Sequence, residues 1–269
     1  MSPCSFTEHF RGGDGQASWT GTSIADDADL RVYLAGPVRD RLLDAEESGA
    51  FAAELQGLAT TGLAAATVAT VLNAEGTSAR SPWEVGEALA ECLLADHHQA
   101  SWPWNMERDK RTPRASLPGA DLIGFVRGAQ DSDALLAIGE VKTSSDSQTP
   151  PNVMTGRGGM VQQLQNFQTD PELQGTVLKW LRVRCKGTEH WPLYEAAVTR
   201  FLASEGREVI LFGVLMRDTQ PAVLDLENRG RALAQAAQAP TVYELQAWYL
   251  PQAATQWPAL VAAGGGAGS

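Results

Sequence analysis

Asp121, Glu140 and Lys142 are the residues whose types and spacing are best suited to catalysis. They lie in or beside two apolar segments, 120–126 and 135–141, which a polar turn joins. This pattern favours an antiparallel hairpin. In such a pair the start of the first strand lies beside the end of the second, so we expect Asp121 close to Glu140. Because side chains alternate along a strand, Glu140 and Lys142 are expected on the same face.

Two carboxylates and an ammonium group are suited to phosphodiester hydrolysis. Carboxylate oxygens bind hard divalent cations such as Mg²⁺ or Mn²⁺, and such a metal polarises a phosphate and lowers the pKa of a bound water. A lysine can orient or help to deprotonate that water, or neutralise the charge of the phosphorane. We therefore predict a metal site at Asp121 and Glu140, with Lys142 as the third catalytic group. The alternative is an exposed charge pair on an ordinary hairpin.

This spacing resembles the motif of the PD-(D/E)XK nuclease superfamily. Eighteen residues separate Asp121 from Glu140, and Lys142 completes the Glu-x-Lys triplet. In the family a proline usually comes directly before the aspartate, whereas here two residues separate Pro118 from Asp121. The resemblance implies an α/β fold with a restriction-endonuclease-like core. In such a core the elements follow one another along the chain in the order α-β-β-β-α-β, and helices flank a mixed sheet. It also implies DNA as the substrate.

Enzymes of this superfamily often carry a further metal-facing glutamate on the helix before the sheet. Ser81 and Glu84 predict the start of that helix, since together they form a capping box. Glu84, Glu87 and Glu91 then lie on one face of the helix. The resemblance favours Glu87 as a metal ligand, because Gly86 permits close approach to the sheet. Glu91 is the second choice, and the alternative is a solvated acidic face with Glu84 only as a cap.

Two further candidates lie after the hairpin. The resemblance implies that a polar residue of the helix predicted at 160–167 faces the site, which makes Gln163 or Gln162 a candidate; Gln163 is the first choice. Arg157 lies between glycines just before this helix, where it can contribute to a phosphate cradle. A mobile surface loop is the alternative interpretation of that glycine-rich segment.

The charge of the chain argues against tight, unassisted DNA binding. The formal net charge is −11, whereas proteins that bind DNA without selection are usually basic. One predicted helix, 176–186, is densely basic. It contains Lys179, Arg182, Arg184 and Lys186, of which Lys179, Arg182 and Lys186 are the predicted nucleic-acid contacts. A basic solvent-facing surface is the alternative.

The length of 269 residues and the apolar fraction of 43% suit one large domain with elaborations. We expect an N-terminal elaboration at 1–75 that packs on the core and offers a surface for a partner. The nuclease core is expected at 76–250, and a flexible tail at 251–269.

Several local elements are predicted outside the hairpin. Residues 1–30 are rich in Gly, Ser and Asp and are expected to be irregular or weakly ordered, with at most a short strand. Residues 29–34 have strand character, and 101–108 are expected to form the first strand of the core. The continuous apolar segment 208–216 predicts a strand that is buried on both faces.

The same features indicate a cytoplasmic protein without a membrane partner. Three scattered cysteines suggest reduced thiols, and neither a signal peptide nor a membrane-spanning segment is expected. Residues 81–167 also resemble the nuclease subunit of the Hachiman anti-phage defence systems, which implies a helicase (ATPase) partner that restrains the nuclease. The alternatives are a stand-alone restriction or repair nuclease, and a catalytically inactive binding module on the same fold.

Overall fold

Strand β6 (Val209–Arg217) lies at the centre of the structure, because all 9 of its residues are buried. Its sequence, VILFGVLMR, is apolar up to the final arginine, so both faces can be covered by other elements. The protein is a mixed α/β structure with a seven-stranded sheet flanked by helices. The computed structural model describes residues 4–75, 80–112, 119–130 and 133–263.

The elements of the described chain have the following bounds. The other strands are β1 (Phe6–Asp14), β2 (Ala17–Ile24), β3 (Ala100–Ser101), β4 (Leu122–Val126), β5 (Leu135–Ser144) and β7 (Val242–Tyr249). The helices are α1 (Ala28–Tyr33), α2 (Arg39–Leu43), α3 (Ala45–Leu58), α4 (Gly62–Glu75), α5 (Pro82–His98), α6 (Met160–Thr169), α7 (Pro171–Cys185), α8 (Trp191–Ala203), α9 (Glu227–Ala236) and α10 (Trp257–Ala263). A π-helical turn, Leu34–Val38, joins α1 to α2, and short 3-10 helices lie at Met106–Asp109, Asn152–Met154, Val223–Asp225 and Ala254–Gln256.

The sheet has the strand order β1-β2-β7-β6-β5-β4-β3. Strands β2, β7, β6 and β5 are parallel, whereas β1 pairs antiparallel with β2, and β5, β4 and β3 form an antiparallel series. Along the chain, α5 is followed by β3, β4, β5 and α6, and β6 comes later. Helices α7 and α8 are inserted between the last two of these elements.

Two apolar layers cover the two faces of the sheet. On one face, α5 packs with the N-terminal helices and α10 through residues such as Leu34, Leu89 and Trp257. On the other face, α6, α7, α8 and α9 contribute residues such as Phe167 and Leu181. No helix among the described residues is both long and apolar enough to span a membrane.

Three predicted elements are confirmed. Strands β4 and β5 form the antiparallel hairpin, β6 is buried as expected, and α5 begins with the predicted capping box of Ser81 and Glu84. The serine side chain accepts a hydrogen bond from the backbone N–H of Glu84, and the Ser81 N–H donates to Glu84 Oε2 at 2.8 Å.

The prediction of weak order in residues 1–30 is wrong for the described part, which contains β1, β2 and the start of α1. The buried face of β2 consists of Ala17, Trp19 and Gly21, a set that lacks the aliphatic alternation expected of a strand. The strand predicted at 29–34 is also wrong. Asp27 caps α1 there, since its side chain accepts a hydrogen bond from Leu30 N at 2.9 Å.

Two further predictions fail for part of their length. The first core strand, expected at 101–108, ends at Ser101, and Asn105 caps a 3-10 helix by accepting a hydrogen bond from Glu107 N at 3.0 Å. The flexible tail, expected from residue 251, is wrong up to residue 263, because Trp257 and Val261 of α10 are buried in the core. Residues 264–269 lie outside the described chain.

Candidate active site

The β4–β5 hairpin brings Asp121 and Glu140 together, as predicted. Leu122 pairs with Gly139, so the residues just beyond this pair, Asp121 and Glu140, lie opposite each other. Asp121 Oδ2 accepts a hydrogen bond from the backbone N–H of Val141 at 2.8 Å. The backbone of β5 therefore fixes the aspartate beside the glutamate.

Lys142 lies on the same face of β5 as Glu140, also as predicted. Its Nζ is 2.5 Å from Glu140 Oε1. The side chain of Glu140 is 3% exposed and that of Lys142 is 21% exposed. The carboxylate is thus almost fully buried, whereas the lysine side chain paired with it is partly exposed. The arrangement therefore differs from an exposed charge pair on an ordinary hairpin, in which both groups would be solvated.

The three glutamates of α5 have different surroundings. Glu84 Oε1 is 3.0 Å from Lys110 Nζ and 3.3 Å from an Arg80 nitrogen. Glu91 is ion-paired with Arg41. Both side chains are therefore neutralised and have structural roles. Glu87, by contrast, has no hydrogen-bond or ion-pair partner within the described ranges, and its carboxyl group is close enough to Asp121 and Glu140 to be repelled by their charges.

Asp121, Glu140 and Glu87 form what we call the carboxylate cluster. Burial raises the pKa of Glu87 to about 9, and the negative charges of Asp121, Glu91 and Glu140 contribute to this shift. Burial and the charge of Asp121 raise the pKa of Glu140 to about 8, although Lys142 opposes the shift. Burial also raises the pKa of Asp121, against the opposing effects of the Val141 N–H and Lys142. Lys142 opposes the shifts at Asp121 and Glu140, and Lys110 opposes that at Glu87, but neither lysine reverses the effect of burial. The cluster therefore favours an added cation.

Gly86 allows the close approach of α5 to β5 that the sequence predicts. A Cβ at this position would lie 2.2 Å from Thr143 Oγ1, and Met216 of β6 is also in contact range. Any side chain here would push the helix away from the sheet. The glycine therefore sets the position of the neighbouring Glu87 relative to the hairpin.

Gln163 faces the same space as Glu140. Both line a cavity of about 190 Å³, which is also bordered by Ala120, Asn166 and Leu173. Gln163 Oε1 is buried and has no hydrogen-bond partner among the described residues. Gln162 is exposed and donates to Asn166 Oδ1 at 2.8 Å, so it lies outside this cavity. Of the two candidate glutamines, Gln163 is the one directed toward the hairpin.

Two residues near the site were not predicted. Asn166 lies three positions after Gln163, on the same face of α6, so helical spacing could have identified it. The charge of Lys110 lowers the pKa of Glu87, which places this lysine beside the carboxylate cluster. In the sequence Lys110 is part of a basic loop. Glu107, three positions before it, pairs with it at 2.5 Å, but the pairing with Glu84 at 3.0 Å spans 26 positions and requires the tertiary fold.

The predicted nucleic-acid contacts are exposed. Arg157 lies in the turn before α6, between Gly156 and Gly158, which have φ of +78° and +83°. The other three are Lys179, Arg182 and Lys186, on or just after α7.

Arg184 differs from the other basic residues of this helix. Its NH2 nitrogen is 2.6 Å from Asp109 Oδ1, and its guanidinium lies 4.0 Å from the centre of the Trp180 ring. It therefore attaches α7 to the segment before β4. Leu173, near the start of α7, lines the cavity at Glu140, so Lys179 is about 9 Å further along the helix axis. The basic surface thus extends away from the cavity.

The donor chemistry of the carboxylate cluster fits Mg²⁺ or Mn²⁺. Within the described ranges, no group of three or more His, Cys, Asp or Glu side chains is arranged so that it could hold a metal ion. Mg²⁺ does not require such a set, because it retains several waters and binds through one or two carboxylates and substrate phosphates. Asp121 and Glu140 supply two carboxylates on adjacent strands. Pro118, the remaining part of the motif, lies outside the described residues.

No family model matches this chain, and no curated protein matches it. The functional assignment therefore depends on the geometry of the hairpin, α5 and α6.

Proposed function

We propose that the chain is a metal-dependent deoxyribonuclease with a PD-(D/E)XK core. The element order α5, β3, β4, β5, α6 and β6 supports this fold assignment. The observation that carries the functional proposal is the arrangement of Asp121, Glu140 and Lys142 at the edge of one hairpin, with Glu87 beside them and without an ion-pair partner among the described residues.

Each residue of the site has a defined task in this proposal. Asp121 and Glu140 would hold the Mg²⁺ or Mn²⁺, with Glu87 as a third acidic group. The metal supplies Lewis-acid polarisation of the scissile phosphate and acidifies a bound water. Lys142, held by Glu140, orients the attacking water and offsets the negative charge that develops on the phosphorane. Gln163 lines the same cavity, and its side chain would help to position the substrate or water.

DNA cleavage is the direct test. The purified chain is incubated at low salt with Mg²⁺ or Mn²⁺ and with plasmid, linear duplex, single-stranded DNA or single-stranded RNA. Low salt keeps weak substrate binding from limiting the reaction. We expect cleavage of DNA that is lost in a Glu140→Ala chain prepared in parallel. Cleavage of RNA alone would contradict the DNA assignment. Equal products from wild type and Glu140→Ala would show that a contaminating nuclease made them, and the chain would then be a catalytically inactive binding module.

We further propose that a protein partner, a DNA-translocating helicase, delivers and restrains this nuclease in an anti-phage defence complex. The net charge of −11 opposes association with DNA, and Arg184 is occupied by Asp109. The N-terminal elaboration supports the proposed contact surface: α3 has no buried residue, and Phe51, Leu58, Leu63 and Val71 are exposed apolar side chains on and between α3 and α4. Such a surface is typical of an interaction site.

The isolated chain should bind DNA weakly and with strong salt dependence. Lys179, Arg182 and Lys186 have no ion-pair partner within the described residues, and three such cations predict a slope of log K against log salt of about −2.7. The expected loss of affinity is therefore roughly 40-fold between 50 and 200 mM salt. Binding is measured with a Lys142→Ala chain, which prevents cleavage. Replacing Lys179, Arg182 and Lys186 by glutamine should flatten the slope, whereas Arg31→Gln on α1 should not. Tight binding that resists salt would exclude delivery by a partner.

A further inference from the structure

A second and larger cavity lies away from the hairpin. It has a volume of about 520 Å³, within the range of small-molecule sites, and lies between β1, β2, β7 and the C-terminal end of α5. None of its lining residues borders the cavity at Glu140. Strands β2 and β7 are paired side by side, and every second residue pair borders this cavity. These pairs are Ser18 with Glu244, Thr20 with Gln246, and Thr22 with Trp248.

Two hydrogen bonds and one close nitrogen–oxygen contact orient Glu244. The Trp248 indole N–H donates to Gln246 Oε1 at 3.0 Å, so the amide nitrogen of Gln246 is the atom next to His98 Nε2 and donates to it. His98 therefore carries its proton on Nδ1, which is 3.0 Å from Glu244 Oε2. The second oxygen of Glu244 has no partner among the described residues. Strand β7 and these contacts therefore hold the Glu244 carboxylate at the cavity, with one of its oxygens available to a ligand.

Three hydroxyl groups stand in a row beside this carboxylate. Ser18, Thr20 and Thr22 alternate along β2 on the face of the cavity, and none of them has a side-chain hydrogen bond within the described part of the chain. Thr22 lies four residue steps along the strand from Ser18, a distance of about 13 Å. The cavity therefore presents an elongated row of free hydrogen-bonding groups.

The end of the cavity beside Thr22 is aromatic. The ring of Phe6 lies 5.0 Å from that of His97 and 5.5 Å from that of Trp248. Aromatic rings attract alkylammonium groups and also pack against the methylene groups of a chain. One end of the site thus suits a cation with an apolar linker.

The formal charge of the cavity selects against anions. Glu8 and Arg11 pair at 2.5 Å and offset each other, which leaves the charge of Glu244 uncompensated when the histidines are neutral. No lysine lines the cavity. We propose that it binds an elongated alkylammonium ligand of the aliphatic polyamine class. One ammonium group contacts Glu244, a second lies toward the aromatic end, and the hydroxyls of β2 accept the remaining N–H groups.

Isothermal titration of the full chain with spermidine tests this proposal. We expect saturable binding, about tenfold or more weaker in Glu244→Gln, because hydrogen bonds between charged groups are among the strongest. Thr20→Val should weaken binding by about fivefold without a change of charge. Glu195→Gln is the matched control, since it removes an exposed carboxylate on α8 and should leave the affinity unchanged.

Two further ligands test which class of molecule the cavity binds. 1,8-Octanediol has a similar length without charge and should not bind. Nα-acetyl-lysine amide should bind more weakly than spermidine; tighter binding would assign the cavity to a lysine side chain of a protein segment and overturn the small-molecule assignment. The proposal is also overturned if wild type shows no saturable binding, or if Glu195→Gln and Glu244→Gln lose equal affinity. If Glu244→Gln fails to fold, Thr20→Val decides between these outcomes.

Discussion

Replacing Glu140 by alanine should lower the rate of DNA cleavage by about 10³-fold, which corresponds to about 4 kcal/mol of transition-state stabilisation. The expected loss is large because Glu140 performs two tasks. It is one of two carboxylates in the proposed metal site, and it holds Lys142 Nζ at 2.5 Å. Asp121→Asn and Lys142→Ala should cause losses of similar size, because each removes one member of the same unit.

Stability measurements separate this catalytic effect from misfolding. Glu140 is 3% exposed and lies beside Asp121, so Glu140→Gln removes a buried charge that its surroundings disfavour while it keeps the shape of the side chain. We expect the midpoint of thermal unfolding to be equal to that of wild type or higher, while cleavage is lost. Lys142 is solvated enough to tolerate the loss of its partner. An active Glu140→Gln chain would end the nuclease interpretation of this hairpin.

The central hairpin and its charges are predictable because they depend on local rules. Alternation along β5 places Glu140 and Lys142 on one face, and antiparallel pairing places Asp121 beside Glu140, whatever the rest of the chain does. The capping box of α5 is equally local. Asp121 and Lys142 are 21 positions apart and Ser81 and Glu84 are three positions apart, so no distant contact is needed to fix these features.

The surroundings of the site depend on distant partners, which spacing does not show. Sequence spacing places Glu84, Glu87 and Glu91 on one face without separating them. The structure separates them through Arg41, which is 50 positions from Glu91, and Lys110, which is 26 positions from Glu84. An ion pair across such a distance requires the tertiary fold.

The sequence pattern does not predict strands β1 and β2, for a different reason. Trp19 on β2 fills the space above Gly12 and Gly230, where a Cβ would lie within 2.4 Å of the indole. One large side chain packed against glycines replaces the usual alternating aliphatic residues. Composition alone therefore indicates a loop where the structure has a paired strand.

Removing divalent metal should abolish DNA cleavage, and adding Mg²⁺ or Mn²⁺ should restore it. The carboxylate cluster offers oxygen donors only, which favours these ions over Zn²⁺. Glu87→Gln should raise the Mg²⁺ concentration for half-maximal activity by about 10- to 100-fold, the range typical of residues that support a metal site. The measurement is a Mg²⁺ titration of cleavage rate, after chelation and dialysis, for wild type and each variant.

The other two glutamates of α5 provide matched controls for Glu87. Glu91→Gln and Glu84→Gln carry the same chemical change on the same helix face, but they break ion pairs with Arg41 and with Lys110. Each should lower the free energy of unfolding by about 2 kcal/mol and leave the Mg²⁺ requirement nearly unchanged. Full activity in excess chelator, or recovery with Zn²⁺ alone, would contradict the proposed metal chemistry. Equal shifts in all three variants would instead show that Glu87 acts only through the general charge of α5.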